Sequence, residues 1–549
     1  MNRFSHAWLA VGVVLISACG APVATERRGA DTRRNIIFIL SDDHRYDFMG
    51  FMGTPSFLET PNLDRLAAEG MHIQNAFVST ALCSPSRASI LTGLYAHRHG
   101  VVDNQRAVPV GTISFPEYLR QAGYATAFMG KWHMGNDGDV PQPGFDRWVS
   151  FRGQGEYFNP VLNVDGERVP RDGYTAEILT DYALEWLAQD REQPFFLYLS
   201  HKSVHAMFEP NTQDVGRYDG AALQYPETMA NTEENDAGHP PWVREQRNSW
   251  HGVDYLYHGD MTFDTFYRRY TETLHSMDRS IGRVLDYLEQ SGLDRSTMVV
   301  YMGDNGFSFG EHGLIDKRHM YEESMRVPML VSAPGLIAPG STLTRMVQNI
   351  DIAPTLLDLA GVEVPTAMDG ASFLPLLRGE QVPWRDAVLY EYYWEWNYPQ
   401  TPTMFGLRTD RYKYIYYHGV WGDDEFFDLQ DDPLEKHNLV RSPEHQPRIA
   451  DMRQRLFDSL EATGGMTVPG TRWPAESKER PSPPTSPTMI APCSLISSSA
   501  FAAVNPRCSL PAAAERNGWA TKTASRSPSG GLTTKSAGNT ARSYSATSA

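Results

Sequence analysis

The pentapeptide Cys83-Ser84-Pro85-Ser86-Arg87 sets a thiol one helical turn ahead of a guanidinium. Pro85 suits the first turn of a helix running to about residue 94, because a proline there forfeits no hydrogen bond. Residue 83 then stands at a helix N-terminus, where partial positive charge favours an oxyanion. Asp42-Asp43 and Asp304-Asn305 offer oxygen donors of the kind that a hard cation such as Ca²⁺ or Mg²⁺ takes. Lys131 and His133 stand in a Gly-Lys-Trp-His run, and His205 and Lys317 follow later. Such groups can act as nucleophile, as proton carriers and as cations facing a developing anion. Singly, each has an ordinary alternative: a structural cysteine, a turn-forming aspartate, a surface lysine or histidine.

Their positions weigh against those alternatives. Residues 35–40 form a continuous apolar run that suits a buried strand of a parallel sheet, and it leads into Asp42-Asp43-His44. Strand-like runs at 124–129, 195–199 and 297–302 lead in turn into Gly130-Lys131-Trp132-His133, into His201-Lys202-Ser203-Val204-His205 and into Gly303-Asp304-Asn305. Helical patterns lie between, at 61–69, 115–122, 175–189 and 267–290. This alternation predicts an α/β fold with a large, mostly parallel central sheet flanked by helices. Ligands of such sheets sit at the carboxyl ends of the strands, and all four ends carry polar, chemistry-bearing residues. The main domain is expected over 35–382. A smaller α+β subdomain is expected over 383–475, with aromatics dense at 390–398, a turn and strand at 408–415 and a helix near 446–462.

The chain has 549 residues, 41% hydrophobic and 21% charged, as in a soluble globular protein. A formal net charge of −17 argues against nucleic acid or an anionic membrane as main partner. It leaves room for a small anionic substrate in a local basic pocket. Arg3 and the apolar run 7–16 read as an export signal, too short to span a bilayer. Ile16-Ser17-Ala18-Cys19-Gly20 resembles a lipobox, which implies a signal at 1–18, a lipid on Cys19 and a linker over 19–34; an ordinary signal cut near Ala18 or Ala21 is the alternative. The remaining cysteines are Cys83, Cys493 and Cys508, so the main body holds one thiol and is not built on disulfides. Residues 476–549 are rich in Ser, Ala, Thr and Pro without apolar periodicity, and read as a disordered or out-of-frame tail.

The C-x-P-x-R pattern at Cys83, with Thr92-Gly93 behind it, resembles the signature of the type I sulfatases. The resemblance runs to about residue 475 and implies an alkaline-phosphatase-like fold. It also implies conversion of Cys83 to formylglycine by a separate maturation enzyme, and a Ca²⁺ or Mg²⁺ site made by Asp42, Asp43, the modified Cys83, Asp304 and Asn305. By the same resemblance Arg87 holds the modified residue, Lys131 and Lys317 contact sulfate, His133 contacts a formylglycine hydroxyl, and His205 protonates the leaving oxygen. Asp351 to Leu356 and Met368-Asp369-Gly370 match architectural hallmarks of the family. The stretches 151–155, 201–210, 247–252 and 390–413 look like a subgroup of N-acetylglucosamine-6-sulfatases, including mucin-desulfating enzymes, so a sulfated sugar is the expected substrate. Asp103, Asn104, His312, Arg318 and His319 are candidates for binding sugar hydroxyls, and Tyr392, Tyr393, Trp394, Trp396 and Tyr398 for stacking on sugar faces or for filling a domain interface. Aryl or choline sulfates, a phosphodiester or phosphonate monoester substrate, and an inactive glycan-binding role stay open on sequence alone. A plain Cys-His thiol hydrolase leaves the paired acids unexplained.

Overall fold

Each of the four apolar runs becomes a strand buried along its length, so side chains of both parities need a covered face. The computed structural model describes Met1 and residues 33–135, 138–246 and 255–469. Its strands, in chain order, are β1 (Asn35–Ser41), β2 (Met71–Ile73), β3 (Ala76–Phe77), β4 (Ala125–Lys131), β5 (Arg147–Phe151), β6 (Val161–Val164), β7 (Glu167–Pro170), β8 (Phe195–Ser200), β9 (Thr297–Gly303), β10 (Met329–Ser332), β11 (Ser341–Leu343) and β12 (Val347–Gln348). β3 and β12 pair with each other, and the other ten form one sheet in the order β11-β2-β10-β9-β1-β8-β4-β5-β6-β7. The central five, β9 to β5, are mutually parallel. The antiparallel pairings of β10 with β9 and of β6 with β5 flank them.

Alternation along β1 divides the core. Ile36, Phe38 and Leu40 enter one apolar cluster with Phe115, Leu119 and Leu356. Ile37 and Ile39 enter the other with Leu179, Trp186, Leu274 and Ile281. Helices Phe115–Gln121 and Ile352–Leu359 thus cover one face, and Thr175–Leu187 and Phe263–Ser291 the other. The last of these starts four residues before its apolar periodicity predicts, because the Thr262 hydroxyl accepts from the Thr265 N–H and caps it.

A second sheet, fully antiparallel, follows in β13 (Ala387–Tyr392), β14 (Met404–Thr409), β15 (Tyr412–Tyr417) and β16 (Glu425–Asp428). Helix Gln446–Thr463 lays Met452, Leu456 and Leu460 against Leu407 and Tyr414 of that sheet. Tyr390 and Tyr392 belong to the large core instead.

Candidate active site

Strand register brings the polar ends together. Ser41 pairs with Gly303, and Leu40 and Gly130 both pair with Ser200. Asp42, Asp304 and His201, which follow their strands, and Lys131, which ends β4, therefore leave the sheet side by side. Gly130 makes this approach possible: a Cβ there would lie 1.7 Å from the Ser200 carbonyl oxygen, and its φ of +124° favours glycine.

Helix Cys83–Thr92 is buried at every position. Its N-cap, Leu82, supplies no side-chain cap; the Ser84 N–H donates instead to Asn104 Oδ1 at 2.9 Å. Arg87 points back over the helix start. Its guanidinium donates to Asp304 Oδ2 at 2.9 Å, to Asp42 Oδ2 at 2.9 Å, and to the Lys131 carbonyl and Ser200 Oγ, each at 2.7 Å. Lys131 Nζ donates to Asp42 Oδ2 and Gln154 Oε1. Lys317 Nζ donates to Asp43 Oδ1, and to Cys83 Sγ at 2.9 Å. Asn305 Nδ2 donates to Asp43 Oδ1 at 2.7 Å, and the Asp43 N–H to Asp304 Oδ1 at 3.1 Å. His133 lies beside Ser84, whose hydroxyl donates to its carbonyl at 2.5 Å, and beside Gln154 Nε2 at 3.2 Å from its Nε2. His205 Nδ1–H donates to the Ala206 carbonyl at 2.6 Å, which leaves Nε2 to face Asp43 Oδ2 at 3.8 Å. The structure thus gathers every residue expected to act on sulfate or metal.

Two of them carry left-handed backbone, Asp43 with φ 49° and His133 with φ 51°. Such conformations cost about 1–3 kcal/mol in non-glycine residues and concentrate where a side chain must be aimed.

Burial governs the electrostatics. It pushes the Cys83 thiol up to about 12, with Asp42 adding to the rise. An unmodified thiol here stays protonated and is a poor nucleophile. For Asp42, burial works upward, but Lys131, His205, Arg87 and Lys317 hold it well below the usual carboxylate range. Asp43 rises to about 7 through burial, against the pull of Lys317. Burial and then Lys131 hold both His133 and His205 well below the usual imidazole value, so both rings are neutral.

Asp42, Asp43, Cys83 and His205 bring ligand atoms within 4.8 Å of one another. Asp43 Oδ2 and Asn305 Oδ1 are buried without a hydrogen-bond partner. Orphaned buried oxygens on a carboxylate and an amide fit a hard divalent cation. Asp304, expected among the ligands, has one oxygen on Arg87 and the other on the Asp43 N–H.

The residues proposed for sugar contact fare differently. His312 Nδ1 lies 3.1 Å from His239 Nε2, His319 Nε2 lies 3.0 Å from Ser308 Oγ, and Arg318 is held by Asp316 at 2.7 Å and Glu395 at 3.0 Å. These partners are protein, and all three side chains are buried. Asn104 serves the helix start, and Asp103 accepts from the Gln105 N–H at 2.9 Å. Tyr392 and Tyr393 are interior, whereas Trp394, Trp396 and Tyr398 keep part of their surface. The stretch 247–252 lies outside the described residues, as do Cys19, the segment 2–32 and the tail from 470 onward. Sequence reasoning passed over Gln154, on Lys131 and His133, and Lys202, whose ammonium lies 4.4 Å from the Tyr157 ring centroid. Neither lies in a repeating pattern; position just beyond a strand end is the signal that could have found them.

The family model described as Sulfatase matches residues 34–362. The chain belongs to the sulfatase family. A model described as N-sulphoglucosamine sulphohydrolase, C-terminal, matches residues 310–462 of this sulfatase. It is 33% identical over 516 residues to an N-acetylglucosamine-6-O-sulfatase of Bacteroides thetaiotaomicron, covering 82% of this chain and 90% of the relative. It is 34% identical to the human N-acetylglucosamine-6-sulfatase, over 69% of this chain and 71% of that one. A solved structure described as BT4656 in complex with its substrate D-glucosamine-2-N,6-O-disulfate aligns with a TM-score of 0.73 at 30% identity, over 80% of this sulfatase and 100% of that chain. The reaction class is sulfuric ester hydrolysis, and the alkaline-phosphatase-like fold expected from sequence is the fold observed.

Proposed function

We propose that this sulfatase removes the 6-O-sulfate of N-acetylglucosamine or glucosamine units in mucin or glycosaminoglycan, with Cys83 matured to formylglycine. The observation that carries the reading is the set of three buried cations, Arg87, Lys131 and Lys317, turned on residue 83 and its acids. The likeness to named 6-sulfatases supports the sugar and the position.

Asp42, Asp43, Asp304, Asn305 and residue 83 would hold a calcium or magnesium ion, with Arg87 steadying the carboxylates of Asp42 and Asp304. Bound there, such an ion polarises sulfate oxygens and acidifies the nucleophile's hydroxyl. Formylglycine supplies a hydrated aldehyde, a nucleophile that the protonated thiol cannot replace. Lys131 and Lys317 pair with Asp42 and Asp43 beside residue 83 in the free protein, and with those acids engaged on a cation both ammonium groups would be free to face the sulfate. They are already in place, so they stabilise developing charge without reorganising. His205 Nε2 faces the site from its rim, where the anionic substrate raises its proton affinity and lets it carry a proton to the leaving oxygen. His133, neutral and held by Ser84 and Gln154, can accept a proton from the nucleophile's side.

We read residues 1–18 as an export signal and Cys19 as a lipid attachment point, which puts the enzyme in the periplasm or on the outer membrane. Among the described residues no helix is long and apolar enough to cross a membrane.

The test is sulfate release by matured protein with Ca²⁺ from N-acetylglucosamine-6-sulfate, set against 3- and 4-sulfated sugars. Preference for the 6-sulfate is expected, and Cys83→Ala should abolish turnover while leaving the melting temperature nearly unchanged. Turnover retained in that variant would show that residue 83 is not the nucleophile.

A further inference from the structure

Lys202 is a buried cation with no ion-pair partner among the described residues. It is 6% exposed, and among the described residues no carboxylate reaches its ammonium, which rests instead over the Tyr157 ring at 4.4 Å. Leaving an ammonium desolvated and unpaired is costly, and a cation–π contact offsets only part of that cost. The fold nonetheless holds it firmly. The Lys202 carbonyl accepts from the His205 N–H at 3.1 Å, and the Tyr157 hydroxyl donates to the His205 carbonyl at 2.7 Å. One short turn therefore carries both the ammonium and the imidazole. Burial brings the lysine down to about 8, with Lys131 contributing.

Its place relative to the reaction is set by exposure. Asp42, Asp43, Cys83 and Lys131 are fully enclosed. His205 and Gln154 keep part of their surface, and Glu156, Met207 and Glu209 beside them are exposed. Substrate enters here, so the sugar lies on the side of His205 and Lys202. The scissile sulfate already has Lys131 and Lys317. Asp42 acts on Lys202 through space but is already paired with Arg87 and Lys131, and Glu156 and Glu209 at the rim do not pair with it, so its charge is not fully cancelled before substrate arrives.

We propose that Lys202 is a specificity-determining residue that binds a second anionic group of the sugar, distinct from the sulfate being hydrolysed. This rests on the reading of the substrate as a sulfated glucosamine. The second anion is either an N-sulfate on the same ring or the carboxylate of a neighbouring uronate, and the measurements separate the two.

The experiment compares kcat/KM for three substrates: N-acetylglucosamine-6-sulfate, D-glucosamine-2-N,6-O-disulfate and a uronate-linked disaccharide of the monosulfate. Matured wild type, Lys202→Gln and Lys202→Arg are assayed side by side. In Lys202→Gln the ratio of a doubly charged substrate over the monosulfate falls about tenfold, the size expected for losing one charge-assisted contact. The fall appears in KM, and Lys202→Arg restores most of it. A drop confined to the disulfate names the N-sulfate; one confined to the disaccharide names the carboxylate. An unchanged ratio on both overturns the proposal. Wild type that turns over an aryl sulfate but none of these sugars overturns the substrate reading instead. Lys202 is then judged by inhibition of aryl-sulfate turnover with D-glucosamine-2-N-sulfate. A Ki raised about tenfold in Lys202→Gln upholds the second-anion role, and an equal Ki overturns it.

Discussion

Lys317 and Lys413 are buried alike, at 4% and 0% exposure, and their surroundings differ in kind. Around Lys413, the ammonium donates to the Met320 carbonyl at 2.8 Å and forms ion pairs with Glu322 at 3.0 Å and Glu435 at 2.7 Å. Arg408 closes the group on Glu322 at 3.2 Å. This cluster ties the small sheet to the loop after β9, and its charges are spent on one another. Around Lys317 are Asp43 and Cys83, and near them Asp43 Oδ2 and Asn305 Oδ1 have no hydrogen-bond partner among the described residues. Buried charge by itself thus marks nothing. Incomplete satisfaction at the ends of parallel strands marks the place where a substrate or an ion completes the set.

The contrast can be broken by exchanging the consequences of two substitutions. Lys317→Ala should cost about 10²–10³-fold in kcat/KM, the scale of one lost electrostatic donor, with a small change in melting temperature. Lys413→Met should leave kcat of the folded fraction near wild type and cost about 3–5 kcal/mol of stability, as expected when a buried pair loses one partner. Chemical denaturation and steady-state kinetics on both variants decide it; equal loss of activity in the two would erase the distinction.

Removing divalent ions sharpens the same point from the other side. Dialysis of matured protein against a chelator should lower turnover at least tenfold and be reversed by Ca²⁺ or Mg²⁺, because the cluster at Asp43 and Asn305 keeps oxygens free for a hard cation. Calorimetry should show a metal-dependent shift in melting temperature that disappears in Asp43→Asn.

The smallest effect concerns Glu323, buried next to Glu322 of the Lys413 cluster. Burial, with Glu311 adding to it, raises this carboxyl to about 8. Between the ordinary glutamate value and 8 the folded state binds a proton that the unfolded state has lost. Stability should therefore fall as pH rises through that window, by at most about 1.4 kcal/mol per pH unit. Glu323→Gln should flatten the slope of melting temperature between pH 5 and 8; an unaltered slope would assign it elsewhere.

Much of the site was legible in sequence because continuous apolar runs announce parallel strands, and ligands gather at their ends. The strands at β1, β4, β8 and β9 were readable for that reason, although they run one or two residues further, to Ser41, Lys131, Ser200 and Gly303, since a polar residue can still pair in the ladder. The short strands β2, β10 and β11, of three or four residues, carry too little periodicity to read. His312, Arg318 and His319 drew attention by closeness in sequence to Lys317, but the loop turns them toward His239, Glu395 and Ser308. Tyr392 and Tyr393 fill the interior, the duller of the two roles that their aromatic stretch allowed. Gln154 and Lys202 sit singly on loops, where only the folded neighbours give them meaning.

Helix Cys83–Thr92 has no exposed residue, and this constrains chronology as well as geometry. A second enzyme cannot act on a side chain that presents no surface. The proposed oxidation of Cys83 would then have to happen while the chain is still extended, before β1, β4, β8 and β9 close over it. Maturation and folding become competitors for the same nascent polypeptide. On that proposal a molecule that folds first would be sealed with its thiol unmodified, and the yield of active enzyme in any host would measure which of the two processes was faster.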